Sequence, residues 1–410
     1  MGTPKNVLNY DESEFTYRVA SEGFGSEGQK MYDYLSARVI GQERAARAVT
    51  NGFSMHNAKL SDPTKPLGVY LFPGPTGTGK TLMAEEISRF LIGDDEVAAP
   101  LTRIPCAKYS ERHRVSELVG SPPGYVDSNK PPILAQHLID EPHFRVKSRP
   151  FLKEAFEKKG KKSEDQVVFE LFEKLGPYYS VLLFDEVEKA HADLHNTLLH
   201  IIDDGVLPLP HGNATNFANS VIVLTCNIGA REQQEMLTGK GGGMGFGRVV
   251  SADDLSESAA DARDQEIYKR TLEEIEKLFT PELVGRIKDG IVVFRPLSRQ
   301  QQRSVLELML GKLQDELSGK NGAQAIPLTL RFDDTFKDFL LEKGESRKYG
   351  LRPLKGMVKK YVRLPLSKAI TSGDIRAADE LLFKVVNGQT AIFRKKRPVL
   401  IVKGLSPPKK

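Results

Sequence analysis

Two cysteines in 410 residues are too few for a disulfide framework. Cys106 and Cys226 lie in or beside apolar strand candidates, so two buried, unpaired thiols and a reducing compartment are expected. No run approaches the roughly 20 apolar residues of a membrane span, so none is expected. The first residues lack a basic region followed by an apolar core, which predicts no secretory signal and a cytoplasmic location. Charge of one sign is scarce as well. Against 59 Lys and Arg stand 54 Asp and Glu, a formal net charge of +5, with acids and bases interleaved. That balance argues against a dedicated nucleic-acid binder. What is present is a hydrophobic fraction of 40 %, ample for packed cores, in a chain long enough for two or three domains.

The stretch that organises the chain is Gly74-Pro75-Thr76-Gly77-Thr78-Gly79-Lys80-Thr81. Residues 69–72 before it read as a buried strand, and residues 82–87, opening at Leu82, read as a helix. Strand, glycine loop, Lys-Thr and helix form the phosphate-binding loop of nucleotide hydrolases. The glycines let successive backbone N–H groups converge on phosphate oxygens, and the helix N-terminus adds a favourable dipole. Lys80 is expected to reach the outer phosphates of ATP, and Thr81 to offer its hydroxyl to Mg²⁺.

Hydrolysis also needs a metal ligand, an oriented water and neutralised charge. Val181-Leu182-Leu183-Phe184-Asp185-Glu186 reads as a buried strand ending in two carboxylates. Asp185 is placed to hold Mg²⁺ and Glu186 to polarise the water, because adjacent residues at a strand end point to different sides. Asn227 ends a neighbouring strand, where an uncharged amide can hold the water or the outer phosphate; a turn-forming asparagine is the alternative. Arg286 and Arg352 could bring positive charge to the transition state, and Arg286 could do so from a neighbouring subunit. A surface ion pair is the bland reading of either.

Strands at residues 69–72, 101–105, 181–185, 221–225 and 290–294, separated by helices, predict a three-layer α/β domain with a five-stranded parallel sheet. After Pro296 the pattern changes to long helices and a hairpin turning at Asn387-Gly388, which predicts a smaller α+β lid domain. The expected division is an N-terminal extension at 1–37, a large domain at 38–296 with an insertion at about 128–165, a small domain at 297–394 and a frayed basic tail at 395–410. His191 and His195 lie four apart on a predicted helix, but Ala192 stands where a zinc peptidase needs glutamate, so solvated or capping histidines are expected.

Several stretches, in this order, carry a resemblance. They are Val39-Ile40-Gly41-Gln42, the loop at 74–81, residues 115–126 including Ser121-Pro122-Pro123-Gly124-Tyr125-Val126, and Asp185-Glu186-Val187-Glu188-Lys189-Ala190-His191. Asp203-Asp204-Gly205, Asn227, Pro281-Glu282-Leu283-Val284-Gly285-Arg286-Ile287 and Tyr349-Gly350-Leu351-Arg352-Pro353-Leu354 complete the set. With them the chain resembles the AAA+ module of the Clp unfoldase and disaggregase family, most of all its second-ring type. The resemblance implies an ATPase that works as a hexameric ring on protein clients. It implies that Val39 and Ile40 border the adenine, that Asn227 and Arg352 are the two sensors, and that Arg286 is a finger acting in trans. Tyr125 and Val126 would line the central pore and grip an extended polypeptide, an aromatic ring needing no particular sequence to make contact. Met244-Gly245-Phe246 resembles the apolar–glycine–apolar tripeptide with which such unfoldases dock on a ClpP-like barrel peptidase; the alternative is a glycine loop whose Phe246 folds back.

The chain also departs from the family pattern. Asp127 replaces the usual glycine, the second pore loop near 207–216 lacks its usual charges, Cys226 replaces a small hydroxyl residue, and no family-type N-terminal domain or second ring fits within the length. Two rival readings therefore stand beside an unfoldase. One is an assembly or secretion factor that remodels one partner through the 128–165 stretch. The other is a nucleic-acid motor using the lysines of residues 158–162 and the basic tail, for which affinity would fall steeply with salt.

Overall fold

The computed structural model describes residues 23–93, 98–120, 131–157, 178–228, 257–318, 327–344, 350–376, 378–395 and 397–401. Helices α1 (Ser26–Arg38) and α2 (Glu43–Asn57) come first. Met31 and Leu35 of α1, and Ala45, Ala46, Val49 and Phe53 of α2, recur at helical spacing and are buried together. Tyr34 of α1 also donates to the buried carboxylate of Glu86 at 3.2 Å. So α1, most of it within the expected N-terminal extension, packs as part of the large domain.

Next come β1 (Gly68–Pro73), α3 (Lys80–Ile92), β2 (Thr102–Pro105), α4 (Arg112–Val119), α5 (Gln136–Glu157) and β3 (Ser180–Asp185). After them follow α6 (Ala192–Asp204), a small hairpin of β4 (Val206–Pro208) and β5 (Ala214–Asn216), and β6 (Ser220–Cys226). Four of these strands form a parallel sheet in the order β1-β6-β3-β2. β6 is buried along its whole length, as a strand covered on both faces must be. Side chains alternate between the faces. Tyr70, Phe72, Val181, Leu183, Val221 and Val223 pack with α1, α2 and α3. Leu71, Leu182, Phe184, Ile222 and Leu224 pack on the other face with Val115, Leu118, Leu194, Leu198 and Ile201. The expected fifth strand is short. Ile291 forms one parallel bridge with Leu71, and the N–H groups of Val292 and Phe294 donate to Leu71 and Pro73 at 2.9 and 2.8 Å.

Within the stretch expected to be an insertion, α5 lies against β3. Its contact face is partly polar: Asp140 accepts a hydrogen bond from Ser180 Oγ at 2.5 Å, and His143 Nδ1 accepts one from the Tyr179 N–H at 3.3 Å. The helix expected at 166–175 lies outside the described residues. The stretch near 207–216, where a second pore loop is expected, forms the β4–β5 hairpin. His191 caps α6 by accepting from the Asp193 N–H at 3.2 Å, and His195 is buried edge-on to Phe279. Both cysteines are buried and free.

Helices α7 (Glu257–Leu278) and α8 (Pro281–Ile287) close the large domain. The small domain opens with α9 (Arg299–Leu317), capped reciprocally by Ser298 and Gln301. It continues through β7 (Thr329–Phe332), α10 (Asp334–Gly344), α11 (Arg352–Val358), a π turn at Lys359–Arg363 and α12 (Leu364–Thr371). Strands β8 (Glu380–Val386), β9 (Gln389–Arg394) and β10 (Arg397–Ile401) complete a sheet ordered β10-β9-β8-β7. The expected hairpin turn is there, with φ of 51° at Asn387 and 74° at Gly388, the left-handed pair of a type I′ turn. The frayed tail needs correction: residues 397–401 are not a tail but pair antiparallel with β9. Pro398, which has no N–H to give, is tolerated because β10 is an edge strand.

His143 gives the fold a dependence on acid. The ring is fully buried, its Nε2 has no partner among the described residues, and burial pushes its pKa down to about 4. The unfolded chain takes up that proton near pH 6.5. Stability from the neutral ring is therefore complete above pH 6.5 and is lost as pH falls toward 4. We expect the unfolding free energy to drop by about 2 kcal/mol between pH 7 and pH 5 through this group, and His143→Phe to shrink that drop in urea titrations at the two pH values.

Candidate functional site

β1 delivers the chain to the C-terminal edge of the sheet, where the glycine loop begins. Gly74 leaves the strand at φ 147°, and a Cβ there would lie 2.5 Å from the Phe294 carbonyl oxygen. Gly77 and Gly79 follow at φ 78° and 104°, so the loop path needs glycine at all three places. Pro75, Thr76 and Thr78 fill the positions between, and the Thr78 hydroxyl donates back to the Pro75 carbonyl at 2.9 Å. Helix α3 starts at Lys80 with Gly79 at its N-cap and no side-chain cap, which leaves its first N–H groups for an anion. Thr81 and Leu82 are the next two residues of that first turn.

Lys80 is nearly buried. Its ammonium donates to the Gly74 carbonyl at 2.6 Å, the Pro75 carbonyl at 2.8 Å and Asn227 Oδ1 at 3.1 Å. Burial drives its pKa down to about 8, opposed by the Glu188 and Asp185 carboxylates and reinforced by Arg352. Asp185 and Glu186 end β3 beside it. Asp185 Oδ1 accepts from the Thr225 hydroxyl at 2.6 Å, and its Oδ2 is paired with Arg103 of β2. Glu186 has a left-handed backbone, φ 60°, and its N–H donates to the Thr225 oxygen at 3.1 Å. Lys189 pairs with Glu186 Oε2 at 2.6 Å. Asn227, just past β6, donates its Nδ2 to Glu188 Oε1 at 3.1 Å and toward Glu186 Oε1 at 3.4 Å.

Lys80, Asp185, Glu186 and Asn227 thus meet at one edge of the sheet. Val39 is buried against the loop, its Cγ1 3.2 Å from where a Gly79 Cβ would stand, and Ile40 follows it. Arg352 opens α11 close enough to act on Lys80, and a Cβ on Gly350 would lie 2.4 Å from the Thr76 carbonyl oxygen. Arg286 stands apart: it ends α8, is half exposed and pairs with Asp203 at 2.7 Å. Tyr125, Val126, Met244, Gly245 and Phe246 lie outside the described residues.

Sequence reasoning gave no role to four residues that the site uses. Arg103 and Thr225 hold Asp185, Glu188 holds Asn227, and the buried Gln42 amide donates to the Arg295 carbonyl at 2.9 Å and the Thr78 carbonyl at 3.3 Å. Only Gln42 and Glu188 carried a signal, since both stand inside stretches quoted for the resemblance.

The comparisons with known proteins agree with this geometry. A family model described as "AAA domain (Cdc48 subfamily)" matches residues 65–144 and 158–290, more than half of the chain. A second, the C-terminal D2-small domain of ClpB protein, matches residues 297–383. This chain belongs to the Clp-type AAA+ family. Among its relatives, chaperone protein ClpB 1 of Thermosynechococcus vestitus is 32 % identical over 386 residues, covering 93 % of this chain and 37 % of the relative. The ATP-dependent Clp protease ATP-binding subunit ClpC of Staphylococcus aureus is 32 % identical over 374 residues, covering 91 % and 37 %. The Clp-type chain thus spans a little over a third of the length of these curated relatives. A closed-state cryo-EM reconstruction of Hsp104 with ATPγS and FITC casein shares the fold, with a TM-score of 0.63 and 24 % identity over 90 % of this chain and 52 % of that one. Residues 145–157, the C-terminal half of α5, fall between the two blocks that match the AAA domain. Among the described residues of this Clp-type chain, no helix is long and apolar enough to cross a membrane.

The contact between the small domain and the loop can be tested at Gly350. Its φ of 54° and its approach to Thr76 make any side chain both strained and obstructed. Gly373, at φ 76° with nothing within 4 Å, would suffer the strain alone. We expect Gly373→Ala to destabilise by about 1 kcal/mol and Gly350→Ala by about 2–3 kcal/mol, read as shifts in the denaturant midpoint.

Proposed function

We propose that this chain is an ATP-dependent protein unfoldase or remodelling chaperone that assembles as a hexameric ring and threads polypeptide clients through its pore. The observation that carries the reading is the convergence of Lys80, Asp185, Glu186 and Asn227 beneath a glycine loop at the C-terminal edge of a parallel sheet. The membership in the Clp-type family supplies the rest.

In this reading ATP phosphates replace the Gly74 and Pro75 carbonyls as partners of the Lys80 ammonium, while the open N–H groups at the start of α3 bind the same anion. Thr81 and Asp185 present a hydroxyl and a carboxylate, the hard oxygen donors that suit Mg²⁺. When bound, that ion would neutralise charge on the phosphates. Glu186 polarises the attacking water, and Asn227 holds it through the amide whose Nδ2 faces Glu186. Arg352 lies on the same chain's lid, whereas Arg286, exposed at the end of α8, would reach a neighbouring subunit's phosphates. Hydrolysis would then need the ring. Val39 and Ile40 would border the adenine.

Tyr125 and Val126 would grip the client, and Met244-Gly245-Phe246 would dock on a ClpP-like peptidase. Relatives named as ATP-binding subunits of Clp protease support that last step. The two buried, unpaired thiols support a reducing, cytoplasmic location.

Glu186→Gln should bind ATP as the wild type does and hydrolyse it at least about 100-fold more slowly. Used as bait with ATP present, that variant should retain clients and any docked peptidase. A purified wild-type chain that binds no ATP would overturn the proposal. Tyr125→Ala should keep its ATPase activity and lose translocation of a fluorescent unfolding substrate; unchanged unfolding by this variant would remove the pore role.

A further inference from the structure

We propose that Glu188 is a positioning residue that fixes which end of the Asn227 amide faces Lys80 and which faces Glu186. The inference rests on the ATPase reading above and adds a residue to it.

A carboxamide has two chemically opposite ends: its oxygen only accepts, and its nitrogen only donates. Lys80 can only donate, and its Nζ stands 3.1 Å from Asn227 Oδ1. Ionised Glu188 can only accept, and its Oε1 stands 3.1 Å from Asn227 Nδ2 and 3.2 Å from the Asn227 backbone nitrogen. Turning the amide over would set an NH₂ against an ammonium and a carbonyl against a carboxylate. Both contacts would become repulsive, so the pair of charges allows one orientation. In that orientation Nδ2 lies 3.4 Å from Glu186 Oε1, beside the place where the water must be held.

The turn that carries Glu188 is built for this. Residues Val187–Lys189 form one 3₁₀ turn anchored by the buried Val187, and Lys189 is committed to Glu186 at 2.6 Å. No surface cation therefore draws Glu188 outward from its own turn. Its other oxygen, Oε2, is buried and has no hydrogen-bond partner among the described residues. Holding a carboxylate with one bare oxygen is unfavourable. A glutamine here would remove the buried charge and weaken the lock, because a neutral amide oxygen holds the Asn227 donors less strongly than a carboxylate does. The acceptor-only chemistry of Glu188 explains why the unfavourable arrangement is kept.

The test uses the full chain and steady-state ATPase kinetics, with affinity for a fluorescent ATP analogue measured separately. Glu188→Gln should lower kcat about tenfold while KM and analogue affinity move by less than about threefold. Glu188→Asp, shorter but still acceptor-only, should keep more activity than the isosteric glutamine. In an Asn227→Ala background, Glu188→Gln should cost less than about twofold further, since the group it orients is gone. Full additivity in that cycle, or a glutamine variant as active as the wild type or more active than the aspartate one, would overturn the role. Absence of hydrolysis by the wild type would instead remove the ATPase reading, and this role with it.

Discussion

The ammonium of Lys80 sets the terms for everything around it. A nearly buried cation is tolerable only if each of its protons finds an acceptor. Lys80 has three such protons and three acceptors, the carbonyls of Gly74 and Pro75 and the oxygen of Asn227. Satisfying them folds the loop back over the start of α3 and draws the end of β6 toward it. Burial still leaves the group less basic than a free lysine, at about 8. A polyanion arriving at the loop would offer this ammonium stronger partners than two neutral carbonyls. The loop is thus shaped by a cation whose best partner is a ligand.

The rest of the architecture serves that arrangement. Lys80, Asp185 and Asn227 are far apart in sequence, and parallel pairing of β1, β6 and β3 brings their strand ends side by side. Two further contacts clamp the loop from outside. Gln42 joins the Thr78 carbonyl to both backbone groups of Arg295, at the exit toward α9. Gly350 brings the lid domain down on Thr76. The glycine loop, the connection between domains and the lid therefore share hydrogen bonds and van der Waals contact.

Much of this was legible because it is local. A glycine loop between strand and helix, two acids closing an apolar run and Asn-Gly between alternating strands each announce themselves within a few residues. The residues that escaped are those whose meaning lies on another strand. Arg103 is an unremarked basic residue in β2 until β3 places Asp185 next to it, and Thr225 is a strand threonine until its hydroxyl meets the same carboxylate. Helix α5 reads as mixed and basic because part of its inward face is polar: Asp140 and His143 are buried with Ser180 and Tyr179 as partners. β10 was hidden by its basic, proline-bearing surroundings, although Val399-Leu400-Ile401 has the composition of a strand.

Thr225 also accounts for an oddity at Glu186. A left-handed backbone at a glutamate is uncommon and is kept only where the surroundings over-determine it. Here the Glu186 N–H donates to the Thr225 hydroxyl, and that hydroxyl donates onward to Asp185 Oδ1. One oxygen therefore receives from the turn and gives to the strand end, so the two acids cannot move independently. The 3₁₀ turn at Val187–Lys189 begins from that constrained residue, which aims Glu188 at Asn227 and leaves Lys189 beside Glu186. The strain at Glu186 is what turns the chain sharply enough for residues 185, 186 and 188 all to face the edge where Lys80 is buried. An extended continuation of β3 would send alternate residues to opposite faces and separate them.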